Sequence, residues 1–348
     1  MKYGISKEKG IKCARSQFYN FNFNMKTGYF ERWGKNWEDD PESSIYPEIL
    51  DIEICTICNG VPDKNGVRPP CGFCYKSNGP VGKYMKFEDF KTLFDKLESR
   101  HTTQIALGSD AQCKNNPDVW KIMQYCRDNN VIPNITIADI DNETADNISK
   151  YCGACAVSRY ANKDICYDSV KKLVDRGMTQ VNIHNMIYQE SYDQTLETIS
   201  DMKTDIRLKG MNALVLLSLK KKGRGIRYNS LPIDKFKILV DKCFEEKINF
   251  GFDSCGCNKF LEVIKDRPDF ENLKTVSEPC ESSLFSFFAS VDGEFFPCSF
   301  CDGIEGWEKG IDIKEVKDFG KDVWNNERVV KFRKKLLENK RNCPYYKV

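Results

Sequence analysis

The sequence predicts an α/β protein, a partial (β/α)6 barrel with a small C-terminal hairpin-plus-helix extension. Two observations carry that prediction. From about residue 50, short β-branched apolar runs alternate with amphipathic helical stretches, the pattern of βα units around a parallel sheet. After residue 256 the rhythm fades, and a hairpin pattern follows. Six such units favour a partial or complete barrel over an open sheet.

The elements follow in order. Residues 1–45 carry an aromatic run at 18–24, a Lys26-Thr27-Gly28 turn and a second run at 29–33, which together read as an aromatic hairpin segment ahead of the barrel. Barrel strands are expected over residues 49–55, 103–108, 132–140, 152–159, 180–187 and 213–220, with a short one at 250–254. Helices are expected over residues 87–98, 117–128, 143–151, 167–176, 191–202 and 233–246. In the fourth of these, Val170, Leu173 and Val174 share one face, and Gly177 stands where a helix stops. Near the C-terminus, runs at 286–291 and 294–298 flank Asp292-Gly293, which supplies the positive φ of a tight turn. The expected division is therefore 1–45, a barrel over 46–256 and an extension over 257–348.

With 41% apolar residues, the 348-residue chain can bury a large core. A formal net charge of +2 leaves no nucleic-acid or membrane footprint. The opening MKYGISKEKG lacks the charged-then-apolar run of a signal peptide, and the longest apolar stretch is far too short to span a bilayer. A cytoplasmic protein is expected.

Cysteine is the outlier, at 17 residues. In a reducing compartment these are metal ligands or small buried hydrophobes rather than disulfides, and an odd number fits complete pairing poorly. Cys126, Cys166 and Cys243 lie in helical apolar patterns and are assigned to the core. Cys55, Cys58, Cys71 and Cys74 form two C-x-x-C pairs separated by twelve residues. That is close to a zinc-ribbon spacing, and a zinc-stabilised binding or scaffold protein is the reading from another class. Against it, these cysteines follow the first barrel strand and precede its first helix, at the barrel mouth where active sites are built.

Here the residues resemble the radical S-adenosylmethionine (radical SAM) enzymes, a family with a TIM-like partial barrel. Its usual signature is C-x3-C-x-aromatic-C after the first strand, commonly in a Glu-x4-Cys-Asn context. Glu53 precedes Cys58-Asn59 by that interval, and Cys71-Gly72-Phe73-Cys74-Tyr75 closes the motif. The twelve residues between Cys58 and Cys71 depart from the family's three, an insertion a loop absorbs cheaply because closure entropy grows only logarithmically with length. The resemblance implies that Cys58, Cys71 and Cys74 hold a 4Fe-4S cluster whose fourth iron is chelated by SAM. It also implies reductive cleavage to a 5′-deoxyadenosyl radical that abstracts a substrate hydrogen, with the barrel supplying orientation and exclusion of water. Cys55 is then spare. The family's SAM contacts map onto Gly108, Ser109 and Asp110 after the second strand, and onto Ser158 and Arg159 after the fourth.

A second set resembles the family's SPASM or shorter twitch extension. Cys280-x12-Gly293-x4-Cys298 is followed by Cys301 and, near the end, by Cys343. There are too few cysteines for two auxiliary clusters, so one auxiliary 4Fe-4S cluster is implied, on Cys280, Cys298 and Cys343 with Cys301 as fourth ligand. Cys255 and Cys257 are its rivals. Relatives with such tails favour a peptide or protein substrate, with a small molecule as runner-up, and an electron donor such as flavodoxin or ferredoxin. His184 is a candidate lumen residue or a satisfied interior one, and the Lys220-Lys-Lys-Gly-Arg-Gly225 run reads as a solvated loop with no assigned role.

Overall fold

A computed structural model describes residues 1–63, 65–108 and 113–347. The chain opens with β1 (Lys2–Ser6), β2 (Ile11–Arg15), β3 (Asn20–Asn24) and β4 (Phe30–Trp33), an antiparallel meander in sequence order. The expected hairpin is therefore half of a four-stranded sheet. Its first two strands are hidden in the sequence because the buried face of β2 alternates Lys12 with Ala14, so a charge sits where an apolar residue is expected.

The βα units follow as β5 (Ile49–Ile52), α1 (Phe87–Phe94), β6 (Gln104–Leu107), α2 (Val119–Asp128), β7 (Ile132–Ile137), α3 (Asn142–Tyr151) and β8 (Cys155–Ser158). They continue as α4 (Lys163–Val174), β9 (Val181–Ile187), α5 (Tyr192–Thr204), β10 (Ala213–Ser218), α6 (Ile233–Glu245) and β11 (Phe250–Phe252). Each expected unit is present, with strands shorter than the apolar runs because the run ends continue into loops. Asp141 and Asn162 cap α3 and α4 by accepting from the Thr144 and Asp164 N–H groups. Alternation sets the faces: Val181, Ile183, Asn185 and Ile187 are buried beneath the helices, where Asn185 donates to Thr195 on α5 at 2.8 Å. Asn182, His184 and Met186 take the opposite face, where Asn182 accepts from Asn212 at 2.9 Å. Cys126, Cys166 and Cys243 are in the core as expected.

The remainder comprises α7 (Cys257–Ile264), α8 (Phe270–Thr275), β12 (Ser286–Ala289), β13 (Glu294–Phe296), β14 (Ile311–Asp312), a π-helical turn (Phe319–Trp324) and α9 (Glu327–Glu338). The expected hairpin is β12 and β13, turned by Gly293 at φ 83°. It does not stand apart. β12 pairs in parallel with β5, giving one ten-stranded sheet ordered β11-β10-β9-β8-β7-β6-β5-β12-β13-β14. Among the described residues β11 and β14 are its open edges.

The meander docks against the N-terminal ends of the parallel strands. Lys12 donates to the carbonyls of Ser99 at 2.6 Å and Asn130 at 3.0 Å, and also to Thr102. Glu48, just ahead of β5, accepts from Tyr19 and pairs with Arg32 at 3.1 Å. His101, fully buried, lies 2.7 Å from Ser44 Oγ and 3.2 Å from Tyr3 Oη, and stacks on Tyr19. This end of the sheet is closed.

Candidate functional site: two thiol sets at the open end

The opposite end carries the loop that follows β5. Cys55 is buried at the strand end, and its sulfur accepts from the Ile57 N–H at 3.4 Å. Beyond Cys58 the chain pinches. Gly60 has φ +70°, and a Cβ there would stand 2.3 Å from the Pro69 carbonyl oxygen. Arg68 reinforces the neck by donating to the Gly60 carbonyl at 3.2 Å, and it pairs with Asp139 at 3.0 Å. The insertion between Cys58 and Cys71 thus leaves and returns at one point, and its length does not separate the thiols. Burial pushes the Cys71 thiol up to about 11, and the neighbouring Cys58 and Cys74 thiols add to the shift. Cys58 and Cys74 thus both lie near Cys71.

Tyr160 is the residue that sequence reasoning left without a role. Its hydroxyl lies beside the Cys71 thiol, where it offsets part of the rise in the Cys71 pKa, and its ring stacks on Phe73 at 5.7 Å with planes 8° apart. The signal was present, because Tyr160 directly follows the two residues of that segment that were assigned. Arg159 is buried; it pairs with Glu197 at 3.1 Å and donates to the Tyr160 carbonyl, while its Nε has no hydrogen-bond partner among the described residues. These groups line a cavity of about 190 Å³ with Cys71, Phe73, Tyr188 and Tyr228. Gly108 ends β6 at φ 109°. Ser109 and Asp110 lie outside the described residues.

A second cavity, of about 200 Å³, is lined by five thiols: Cys255, Cys280, Cys298, Cys301 and Cys343. Cys298 and Cys301 stand 3.5 Å apart, and that hydrogen bond, ahead of burial, raises the Cys298 pKa. Burial pushes Cys280 up to about 11 and also raises Cys343 and Cys255, the latter opposed by the Lys220 ammonium. The sequence favoured Cys301 as a fourth partner with Cys255 and Cys257 as rivals. The cavity admits Cys301 and Cys255, whereas Cys257 is buried on α7 outside it. Two carboxyls share this space: burial pushes Glu281 up to about 8, and Asp51, accessible from the cavity yet enclosed by protein, is also raised. Glu53, by contrast, pairs with Lys76 at 3.3 Å, and Lys76 also pairs with Asp302 at 2.6 Å.

Two further expectations are settled here. His184 lies on the face of the sheet away from the helices, and burial lowers its pKa to about 4, so it is neutral near pH 7. The charge run from Lys220 is solvated only in part: Lys221 is exposed, whereas Lys220 is 6% exposed and paired with Asp253, and Lys222 and Arg224 pack between the two thiol sets. Among the described residues no three Cys, His, Asp or Glu side chains already form a metal-binding group. Nor is any helix among them long and apolar enough to cross a membrane.

No protein-family model and no curated protein matches the chain. Solved structures do. A crystal structure of Streptococcus suis SuiB bound to S-adenosylmethionine superposes with a TM-score of 0.65 at 14% identity, covering 95% of this chain and 90% of that one. The chain shares the fold of SuiB. BtrN, in complex with AdoMet and 2-DOIA, gives a TM-score of 0.42 at 13% identity over 83% of this chain and 87% of its own. At 14% identity the likeness to SuiB is one of architecture, a mixed α/β fold with a parallel central sheet.

Proposed function

We propose that this protein is a radical SAM enzyme with one auxiliary iron–sulfur site, acting on a peptide or protein substrate. What supports the proposal is the pinched loop, which returns the chain so that Cys58 and Cys74 both lie near Cys71 at the open end of the sheet, while the Cys55 sulfur accepts from the Ile57 N–H. Three thiols suit a 4Fe-4S cluster with one iron left for SAM, whereas structural zinc wants a fourth closed ligand. When bound, the cluster supplies the single electron for reductive cleavage of SAM, drawn from a donor such as flavodoxin or ferredoxin. The chain's own part is to bind and orient. Tyr160 steadies the Cys71 sulfur, Arg159 presents cationic character at the adjoining cavity wall, and Phe73, Tyr188 and Tyr228 offer rings for a nucleoside. That the shared fold of SuiB was solved with SAM supports this reading.

At the second cavity, thiols lining a space of about 200 Å³ suit a polynuclear cluster better than one zinc ion, which draws its sulfurs to about 2.3 Å. Cys280, Cys298, Cys343 and Cys301 are its proposed ligands, with the residues after 256 as the auxiliary domain. The test is anaerobic reconstitution, metal counting and EPR of the reduced protein with and without SAM. About eight irons and a SAM-shifted signal are expected, and that shift should be lost in Cys71→Ser and kept in Cys55→Ser. Stoichiometric zinc that depends on Cys55, with no SAM-sensitive signal, would instead establish a zinc-stabilised scaffold.

A further inference from the structure

Between the two thiol sets lies the segment 220–225, whose contacts divide along its length. On one side, Lys222 Nζ donates to the carbonyls of Phe300, at 3.2 Å, and of Asp302, which flank Cys301. Lys220 lies over the Phe300 ring at 4.9 Å and beside Cys255. On the other side, the Arg224 N–H donates to the Cys74 carbonyl at 3.0 Å, and its guanidinium donates to the carbonyls of Cys71 at 2.9 Å and Asn78 at 3.2 Å. Gly223 makes the approach possible: it has φ +55°, and a Cβ there would lie 2.4 Å from the Tyr75 carbonyl oxygen and 2.7 Å from that of Cys74. A direct contact closes the arrangement, for the Tyr75 and Phe300 rings meet at 4.3 Å.

Resting on the two-site function above, we infer that segment 220–225, with the Tyr75 and Phe300 rings, is a strap coupling the sites, so that occupancy of the C-terminal thiols tightens the Cys71 to Cys74 loop. Lys222 and Arg224 are positioning residues that act through backbone carbonyls and touch no reacting atom. The physical basis is that each loop offers the strap carbonyl acceptors at positions fixed by its own cysteines. A loop that rearranges when its ligand is lost withdraws those acceptors and frees the strap from the other. Such coupling is reciprocal, and typical couplings correspond to changes of about 5- to 150-fold.

The experiment reads the SAM-sensitive EPR signal of the full-length, two-cluster protein and its decay on exposure to an iron chelator. Lys222→Met keeps every cysteine, yet its SAM-sensitive signal should decay at least about 5-fold faster than that of the wild type, while Lys222→Arg restores the slow decay. Cys343→Ser should have a similar effect, and Lys222→Met combined with it should add little. Phe300→Leu gives an independent reading if a lysine variant folds poorly, and is expected to speed the decay in the same sense. Unchanged decay in Lys222→Met and Phe300→Leu, or in Cys343→Ser, overturns the strap while leaving the enzyme proposal intact. A wild-type protein that binds iron at neither set overturns both.

Discussion

The two ends of the parallel sheet are built from the same repeating units and treated in opposite ways. At the closed end, Lys12, Glu48 and His101 are buried and Arg32 partly so, and their polar atoms are largely spent on one another and on backbone carbonyls. At the open end, thiols, carboxyls and Arg159 border two cavities, and burial raises the pKa of several of the groups that line them. The first arrangement holds the chain together and leaves little to offer a ligand. The second gives up local packing to keep donor groups available, as in α/β barrels, where one face carries stability and the other chemistry.

That contrast can be broken from either side. The largest effect on stability is expected for Phe21→Ala, which empties a fully buried site in the meander. It should cost about 3–5 kcal/mol in denaturant unfolding and leave iron per folded chain unchanged. A loss of iron in the folded fraction would show that the closed end also shapes the thiol sites.

The next effect is one of pH. Burial, and then the Lys12 ammonium, holds His101 at about 3, against about 6.5 in an unfolded chain. The unfolded chain therefore takes up a proton as pH falls through 6.5 while the folded chain does not, so this contribution is complete above pH 6.5 and is lost on acidification towards 3. Between pH 6.5 and 5 it amounts to roughly 2 kcal/mol, visible as a fall in urea midpoint that His101→Gln should flatten. An equal fall in both proteins would remove His101 as its source.

The smallest expected stability effect is at the open end. Tyr160→Phe removes one hydroxyl and should cost only about 1 kcal/mol. It should nonetheless alter the EPR signal of the reconstituted Cys58, Cys71 and Cys74 site, because Cys71 loses a neighbouring hydroxyl. An unaltered signal would show that the hydroxyl does not tune that sulfur.

The alternation of apolar runs made the βα series legible from β5 to β11, and Asp292-Gly293 located the last hairpin. What stayed illegible shares one cause, in that the partners lie far away along the chain. Lys12 reads as a surface charge until the carbonyls of Ser99, Thr102 and Asn130 are placed around it. Gly223 and Arg224 read as part of a charged loop until the Cys74 carbonyl arrives. Spacing alone left the place of Cys255 open, because its neighbourhood with Cys280 and Cys298 depends on where β10 and β11 end. Conversely, the pinch at Gly60 explains why the convergence of Cys58 and Cys71 could be anticipated despite their separation: a closed loop hides its own length.

The parallel pairing of β12 with β5 also dictates an order of events during synthesis. Ser286 aligns with Ile49, so the first strand of the series waits for its second neighbour until most of the chain has been made. At ordinary ribosomal speeds that interval is on the order of tens of seconds. Throughout it, β5 is an unpaired edge, open to mispairing or to chaperones. Cys58, Cys71 and Cys74 emerge soon after that edge, and the thiols of the second cavity arrive last. The two thiol sets thus meet only after translation is nearly complete, and a chain truncated before β12 would present Cys58, Cys71 and Cys74 on an unfinished sheet.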